Sequence, residues 1–336
     1  MNIYDIAKQS GVSIATVSRV LNGGQNVSQK TRNKVLEVIQ QEDYTPNAFA
    51  RGLGLNSMHM IGILCTDVSD TFYAKAVSLV EALLRHKGFD ALLCCTGNNL
   101  EDKKKYLNLL LTKRVAAVIL IGSAFKENVD NSHIENAAKQ VPVIIINGLV
   151  ELPNTYCVLC DEYSAVSQNV MLLHEQGYDA ILYLYDTLTY SGCVKIAGCK
   201  DGLKKSGIEM NDSLFVKVPK NIDDAAAKVT ELIAGGLTFS AVMASEDLLA
   251  IGALKALKNA NLNMPVIGFN NSILSNCSSP ALTTVDNMLD TLCPTAVSIL
   301  TDILEGKNAP QKIVISSKLV ERETFQTNKS SQEDLK

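Results

Sequence analysis

Ala15-Thr16-Val17-Ser18-Arg19-Val20-Leu21-Asn22 is the stretch on which the reading of this chain turns. Ahead of it, residues 2–10 put Ile3, Ile6 and Ala7 at helical spacing on one face. Gly11-Val12-Ser13 interrupts that helix. Glycine tolerates a left-handed turn at 11, and Ser13 offers a side-chain oxygen to cap a second helix beginning at Ile14. Ala7 is small enough for the two helices to approach, and Val17 returns to their shared core, which is helix-turn-helix punctuation.

The second helix then turns Ile14, Ala15, Thr16, Ser18, Arg19 and Asn22 outward. These groups are short or hydrogen-bonding, with a single guanidinium, and they suit a helix lying against DNA. Arg19 has the fork to read guanine O6 and N7, Thr16 and Ser18 reach phosphates, and Ile14 and Ala15 touch thymine methyls. An ordinary helical hairpin is the alternative, although its surface would more usually be filled with Lys and Glu.

At 336 residues the chain suits two or three units, and with 47% hydrophobic residues it has the means to bury sizeable cores. Residues 1–60 hold six Lys/Arg against four Asp/Glu, a net of +2 in a chain of net −4. That distribution fits a small nucleic-acid module on an acidic body. The N-terminus has no basic start followed by an apolar run, and no apolar stretch reaches membrane-spanning length, so a cytoplasmic protein is expected. The nine cysteines sit mostly inside apolar runs and imply a reduced compartment. Cys157 and Cys160 form C-x-x-C, but no second pair or nearby His completes a zinc set, so buried thiols are expected rather than a metal or redox site.

Ser28 is placed to cap a third helix in which Val35, Leu36, Val38 and Ile39 form an apolar stripe. Lys30, Arg32 and Lys34 lie early in it, where they meet phosphates or form a solvated face. Tyr44-Thr45-Pro46 and Asn47-Ala48-Phe49-Ala50-Arg51-Gly52-Leu53 follow. Together with Tyr4-Asp5-Ile6-Ala7, Gly11-Val12-Ser13 and Thr16 to Asn22, this segment resembles the headpiece and hinge of the lac repressor/galactose repressor family over about fifty residues without gaps.

The resemblance implies DNA contacts at Tyr4, Ser13, Ile14, Ala15, Thr16, Ser18, Arg19, Asn22, Asn47, Ala50 and Leu53. In that family the hinge becomes helical on the operator and drives a leucine into the minor groove to kink the duplex. Leu53 takes that position, the alternative being a linker residue packed on its own body. Gly52 and Gly54 flank it, each costing about 1 kcal/mol of helix stability relative to Ala, so this hinge depends more on DNA to fold.

From Met60 onward short apolar runs alternate with helical stretches. Strands are expected over 61–65, 89–95, 116–121 and 143–146, with helices over 73–86, 100–112 and 134–139. A second series has helices over 163–176, 192–206, 223–234 and 248–260 and strands over 181–185, 215–218 and 241–244. The fold class is α/β: an all-α helix-turn-helix headpiece followed by two doubly wound lobes with a ligand cleft between them. A helix over 289–304 and a strand over 313–320 return to the first lobe. The expected boundaries are 1–45 for the headpiece, 46–59 for the hinge, 60–161 with 287–320 for the first lobe, 162–286 with 321–327 for the second, and 328–336 for a polar tail.

The body resembles the periplasmic-binding-protein-type effector domain of the same family. That implies effector contacts at Phe72 or Tyr73, with a core aromatic as the alternative, and at Lys195, Glu246 and Asn270. Three of these depart from the family pattern. Lys195 stands in Lys-x-x-Gly for Arg-x-x-Gly and loses the planar fork. Glu246 stands for Asn, and Asn270 for the effector-binding Asp. No Walker loop, G-x-G-x-x-G, H-E-x-x-H or G-x-S-x-G occurs, so neither an enzyme, a cofactor nor a metal is expected.

The expected function is a homodimeric repressor of operator DNA under a sugar-like effector, away from the membrane; the alternative is a ligand-independent or protein-partner-controlled regulator with a degenerate cleft. The tail lacks leucine heptads, which favours a dimer over a tetramer. Leu53→Ala should abolish DNA bending while leaving the headpiece folded, as read by energy transfer across a labelled operator; normal bending by the variant would sink the wedge role.

Overall fold

The computed structural model describes residues 3–21, 26–42 and 59–327. Asn22, Asn47, Ala50 and Leu53, the hinge apart from His59, and the 328–336 tail lie outside the described residues. The chain forms two compact units, Met1–His59 and Met60–Lys336.

In the first unit, α1 (Ile3–Ser10), α2 (Ile14–Leu21) and α3 (Gln29–Gln41) enclose a core of Ile6, Ala7, Val17, Val20 and Val35. Gly11 takes φ 64°, the left-handed corner. Ser13 Oγ accepts from Thr16 N at 3.2 Å, and Ser28 Oγ from Thr31 N at 3.3 Å, so both serines satisfy an orphan amide at a helix start. One expectation fails: Leu36 is 46% exposed and stands outside the stripe that Val35, Val38 and Ile39 form. It lies one residue past Val35, about 100° around the helix from the residue that enters the core.

The second unit begins with β1 (Met60–Cys65), α4 (Thr71–His86), β2 (Asp90–Cys95), α5 (Leu100–Thr112), β3 (Ala117–Ile121), α6 (Ser132–Ala138), β4 (Val143–Ile146) and β5 (Thr155–Cys160). It continues with α7 (Glu162–Glu175), β6 (Ile181–Tyr185), α8 (Tyr190–Lys205), β7 (Phe215–Lys217), α9 (Ile222–Ala234), β8 (Ala241–Ala244), α10 (Asp247–Asn259), β9 (Val266–Phe269), α11 (Ile273–Cys277) and β10 (Thr283–Asp286). It ends with α12 (Leu289–Leu304), β11 (Lys312–Ile315) and β12 (Lys318–Val320).

The strands form two six-stranded sheets, ordered β11-β5-β4-β3-β1-β2 and β12-β10-β9-β8-β6-β7. All pairings are parallel except β10 with β12. Every residue of β3, Ala-Val-Ile-Leu-Ile, is buried, because helices cover both faces of the sheet: Ile119 packs into one apolar cluster and Val118 into the other. Cys157 and Cys160 are buried thiols in β5, neither of them in a disulfide.

The strand expected over 313–320 is in fact two. β11 pairs with β5 in the first sheet and β12 with β10 in the second, so the last crossing between lobes falls between Ile315 and Lys318, earlier than the expected 320. The apolar run Ile313-Val314-Ile315 and the pair Leu319-Val320 read as one strand from hydrophobicity, yet Ser316-Ser317 separates them.

Helices α7 and α8 pack against each other through glycines. A methyl group at Gly198 would lie 2.4 Å from the Tyr163 carbonyl oxygen, and one at Gly202 2.7 Å from that of Ser167. Gly198→Ala should therefore destabilise this unit by roughly 1–3 kcal/mol, lowering its urea midpoint; an unchanged midpoint would mean that the helix contact is loose.

Candidate functional sites

The headpiece offers one polar helix face. On α2, Val17 and Val20 are buried while Ser13, Ile14, Ala15 and Arg19 are exposed and Thr16 and Ser18 are half-buried. The hydroxyls of Ser13 and Thr16 lie 2.9 Å apart, so the cap also orients the first polar group of the helix. Arg19 sits in the last turn, where its charge complements the helix dipole. Tyr4 on α1 is 67% exposed. The structure thus brings Tyr4 and the α2 residues onto one small unit, with an apolar core holding the exposed side chains in register.

In the second unit the chain order reverses beside β1 and β6, each of which lies between an outward and an inward neighbour. At such switch points the loops at the carboxyl ends of strands diverge and leave a crevice. A cavity of about 210 Å³ opens there, lined by residues that follow β1, β3 and β4 in one lobe and β6, β8 and β9 in the other. Phe72, Tyr73, Lys195, Glu246 and Asn270 all border it. A wider depression of about 660 Å³ lies at the amino ends of the second lobe's strands, around Pro265 and Pro280.

Phe72 and Tyr73 begin α4, after Asp70 has capped it by accepting from Phe72 N at 2.8 Å. Their rings meet edge to face at 5.2 Å. Phe72 belongs to the first lobe's core as well as to the cavity wall, so both readings of that position describe part of its environment. The Tyr73 ring lies against Gly122, where a methyl group would come within 2.6 Å of it. Burial pushes the Tyr73 phenol up to about 12, keeping it a neutral hydrogen-bonding group.

Lys195 is 4% exposed, and its ammonium is committed within the structure. It donates to the Ser245 carbonyl at 3.0 Å, lies 3.5 Å from Glu162 Oε1, and sits 3.8 Å above the Phe269 ring. Glu162 is itself held by Asn147 Nδ2 at 3.1 Å. The lysine side chain therefore braces the base of the cleft.

Lys220, in the loop after β7, carries an ammonium across the cleft, and the sequence reading missed it. Its Nζ lies 2.6 Å from Asp70 Oδ2 of the first lobe and 3.2 Å from Glu246 Oε1 of the second. Burial works against its charge, but Glu246 and Asp70 more than offset that and raise its pKa. Further contacts that join the lobes include Ser123 Oγ to Thr189 Oγ1 at 3.0 Å, Lys126 Nζ 5.0 Å from the Tyr190 ring centroid, and the Asn147–Glu162 hydrogen bond. Lys220 follows a strand and precedes the N-cap of α9, a strand-end position that could have singled it out.

Glu246 starts α10 without capping it, because its carboxylate turns into the cleft, where it meets Lys220 and accepts from Asn270 Nδ2. Asn270 adopts φ 101° and its Oδ1 accepts from Asn287 Nδ2 at 3.0 Å. Asp247, next in the chain, accepts from Ser272 N and Ser272 Oγ, both at 2.7 Å, and fastens the loop that carries Asn270. Among the described residues no cluster of His, Cys, Asp and Glu could hold a metal, and no helix is long and apolar enough to cross a membrane.

Residues 2–47 match the model of bacterial regulatory proteins of the lacI family, and residues 58–316 that of periplasmic binding proteins and the sugar binding domain of the LacI family. An HTH-type transcriptional regulator of Lachnoclostridium phytofermentans is 47% identical, the match covering 96% of this chain and 99% of that protein. Catabolite control protein A of Priestia megaterium is 30% identical over 94% of this chain and 96% of its own. Among solved structures, the lac repressor dimer bound to operator and the anti-inducer ONPF superposes with a TM-score of 0.85 at 23% identity, covering 96% of this chain and 98% of that one.

Burial, above all, holds the Glu246 carboxyl up to about 7, against the pull of Lys220 and Lys195. A carboxyl whose folded pKa exceeds its unfolded value contributes stability that is complete at acid pH and is lost as pH rises through the folded value. Unfolding measured in urea should show wild-type stability falling between about pH 4.5 and 7 relative to Glu246→Gln; parallel pH profiles for the two proteins would contradict the placement of this group.

Proposed function

This chain belongs to the lacI family of bacterial regulatory proteins, and from that premise we propose that it binds a pseudo-palindromic operator as a homodimer whose hold on DNA is set by a small hydroxylated molecule in the cleft. It is a DNA-binding transcriptional regulator built from a helix-turn-helix headpiece and a periplasmic-binding-protein-like body. The observation that carries the proposal is the polar cavity between the two lobes, spanned by side-chain contacts that have to rearrange when the lobes move.

In this reading α2 enters the major groove. Arg19 pairs with a guanine, Thr16 and Ser18 hold phosphates, Ile14 and Ala15 meet thymine methyls, and Tyr4 and Asn22 support the register. Ser13 serves the DNA and its own helix together. Leu53, with Asn47 and Ala50, supplies the minor-groove part. In the cleft, Tyr73 and Phe72 give an apolar wall, while Glu246 and Asn270 give acceptors and donors at the facing strand ends. Lys195 contributes by holding the cleft floor in shape.

Control follows from linkage. A ligand that binds one lobe arrangement more tightly than the other shifts operator affinity by that difference, typically about 1–3 kcal/mol. Two-fold symmetry places the half-sites about one helical turn apart, or a multiple of it. DNase footprinting should protect two such half-sites, and Arg19→Ala should lose about 1–3 kcal/mol of operator affinity while relaxing selectivity at one base position. A single non-palindromic half-site would count against the dimer, and unchanged selectivity against the role of Arg19.

A further inference from the structure

The cleft's charge is lopsided. Asp67, Asp70, Asp186 and Glu246 line it, against the ammoniums of Lys195 and Lys220. Lys195 is already engaged by Glu162, the Ser245 carbonyl and the Phe269 ring. Lys220 is shared between Asp70 and Glu246. The amino end of α4, where a ligand phosphate or carboxylate would ordinarily find a free amide, is capped by the chain's own Asp70. An anionic ligand thus meets four carboxylates and, among the described residues lining the cavity, no uncommitted cation.

Asp186, at the end of β6, offers the opposite. Its carboxylate makes one hydrogen bond among the described residues, accepting from Ser245 Oγ at 3.2 Å, and so keeps acceptor capacity facing the cavity. Resting on the reading of this cleft as the effector site, we propose that it selects a small hydroxylated ligand carrying a protonated amine, with Asp186 and Glu246 as the carboxylates that receive the ammonium. Lys220 is then the chain's own competing cation, holding Glu246 until the ligand arrives. The charged groups facing Glu246 are Lys220, Lys195, Asp186 and Asp70, and the two aspartates both push its pKa upward. A ligand ammonium reverses that push, so binding near pH 7 expels protons from the protein.

The test is calorimetric titration of the full-length protein with matched sets: glucose, glucosamine and glucose 6-phosphate, and the corresponding galactose and mannose sets. In at least one set the amine should bind about tenfold or more tighter than its hydroxyl twin, the ratio one charge-assisted hydrogen bond supports, with no detectable binding of the phosphate. That titration should release protons at pH 7, seen as a heat that changes with buffer ionisation enthalpy. Lys220→Met should raise affinity for the amine by more than it changes affinity for the hydroxyl twin, so that the amine preference widens, whereas Asp186→Asn should erase the preference. Binding led by a neutral or phosphorylated sugar would overturn the charge selection while leaving the cleft as an effector site. Silence across all sets would overturn both.

Discussion

Parallel strands all end at the same edge of their sheet, and this constraint organises the body of the protein. Each of two sheets carries its carboxyl-end loops to a shared cleft, and the chain crosses between lobes three times, so neither sheet moves without dragging on the same few crossing segments. Because both faces of each sheet are covered by helices, the interior accepts little deformation, and movement is left to the cleft. Polar residues stand within two positions of the ends of β1, β3, β6 and β8 for that reason. Thr66, Ser123, Asp186 and Ser245 occupy the places where the chain leaves the apolar sheet and faces water or a ligand.

Two lysines divide the electrostatic work of that cleft. Lys195 faces a carboxylate, a carbonyl and an aromatic ring within its own surroundings, so its charge stabilises a fixed arrangement. Lys220 is shared between lobes, so its partners Asp70 and Glu246 come apart when the lobes part. A pair this enclosed gains more from Coulomb attraction than a surface pair, and it also pays more in desolvation. Its value to a regulator lies in the difference between two lobe arrangements rather than in net stability.

Much of this was legible in the chain. Gly11 and Ser13 marked the corner and the cap because each solves a local backbone problem, and the alternation of apolar runs with helical spacing gave both lobes. Helices 100–112 and 289–304 and strands 143–146, 181–185 and 241–244 fell where the pattern put them. The strand over 313–320 was misread because hydrophobicity says nothing about which sheet a run joins, and Leu36 because a stripe read by eye is wider than the contact it makes. The cleft residues were found by position, yet the direction of Lys195 and the partnership of Lys220 depend on Glu162, Asp70 and Glu246. Those residues stand 33, 150 and 26 positions away in sequence from their lysines and meet them only in the fold.

The central claim is that lobe arrangement sets operator affinity. It is tested without any ligand by replacing Ser123 and Thr189, whose hydroxyls meet across the cleft at 3.0 Å, with cysteines and measuring operator affinity before and after oxidation. Locking the lobes with the Ser123→Cys/Thr189→Cys disulfide should shift the dissociation constant by about 5- to 150-fold, the span of ordinary allosteric coupling, and reduction should restore it. An operator affinity that is identical in the locked and reduced proteins would contradict the account.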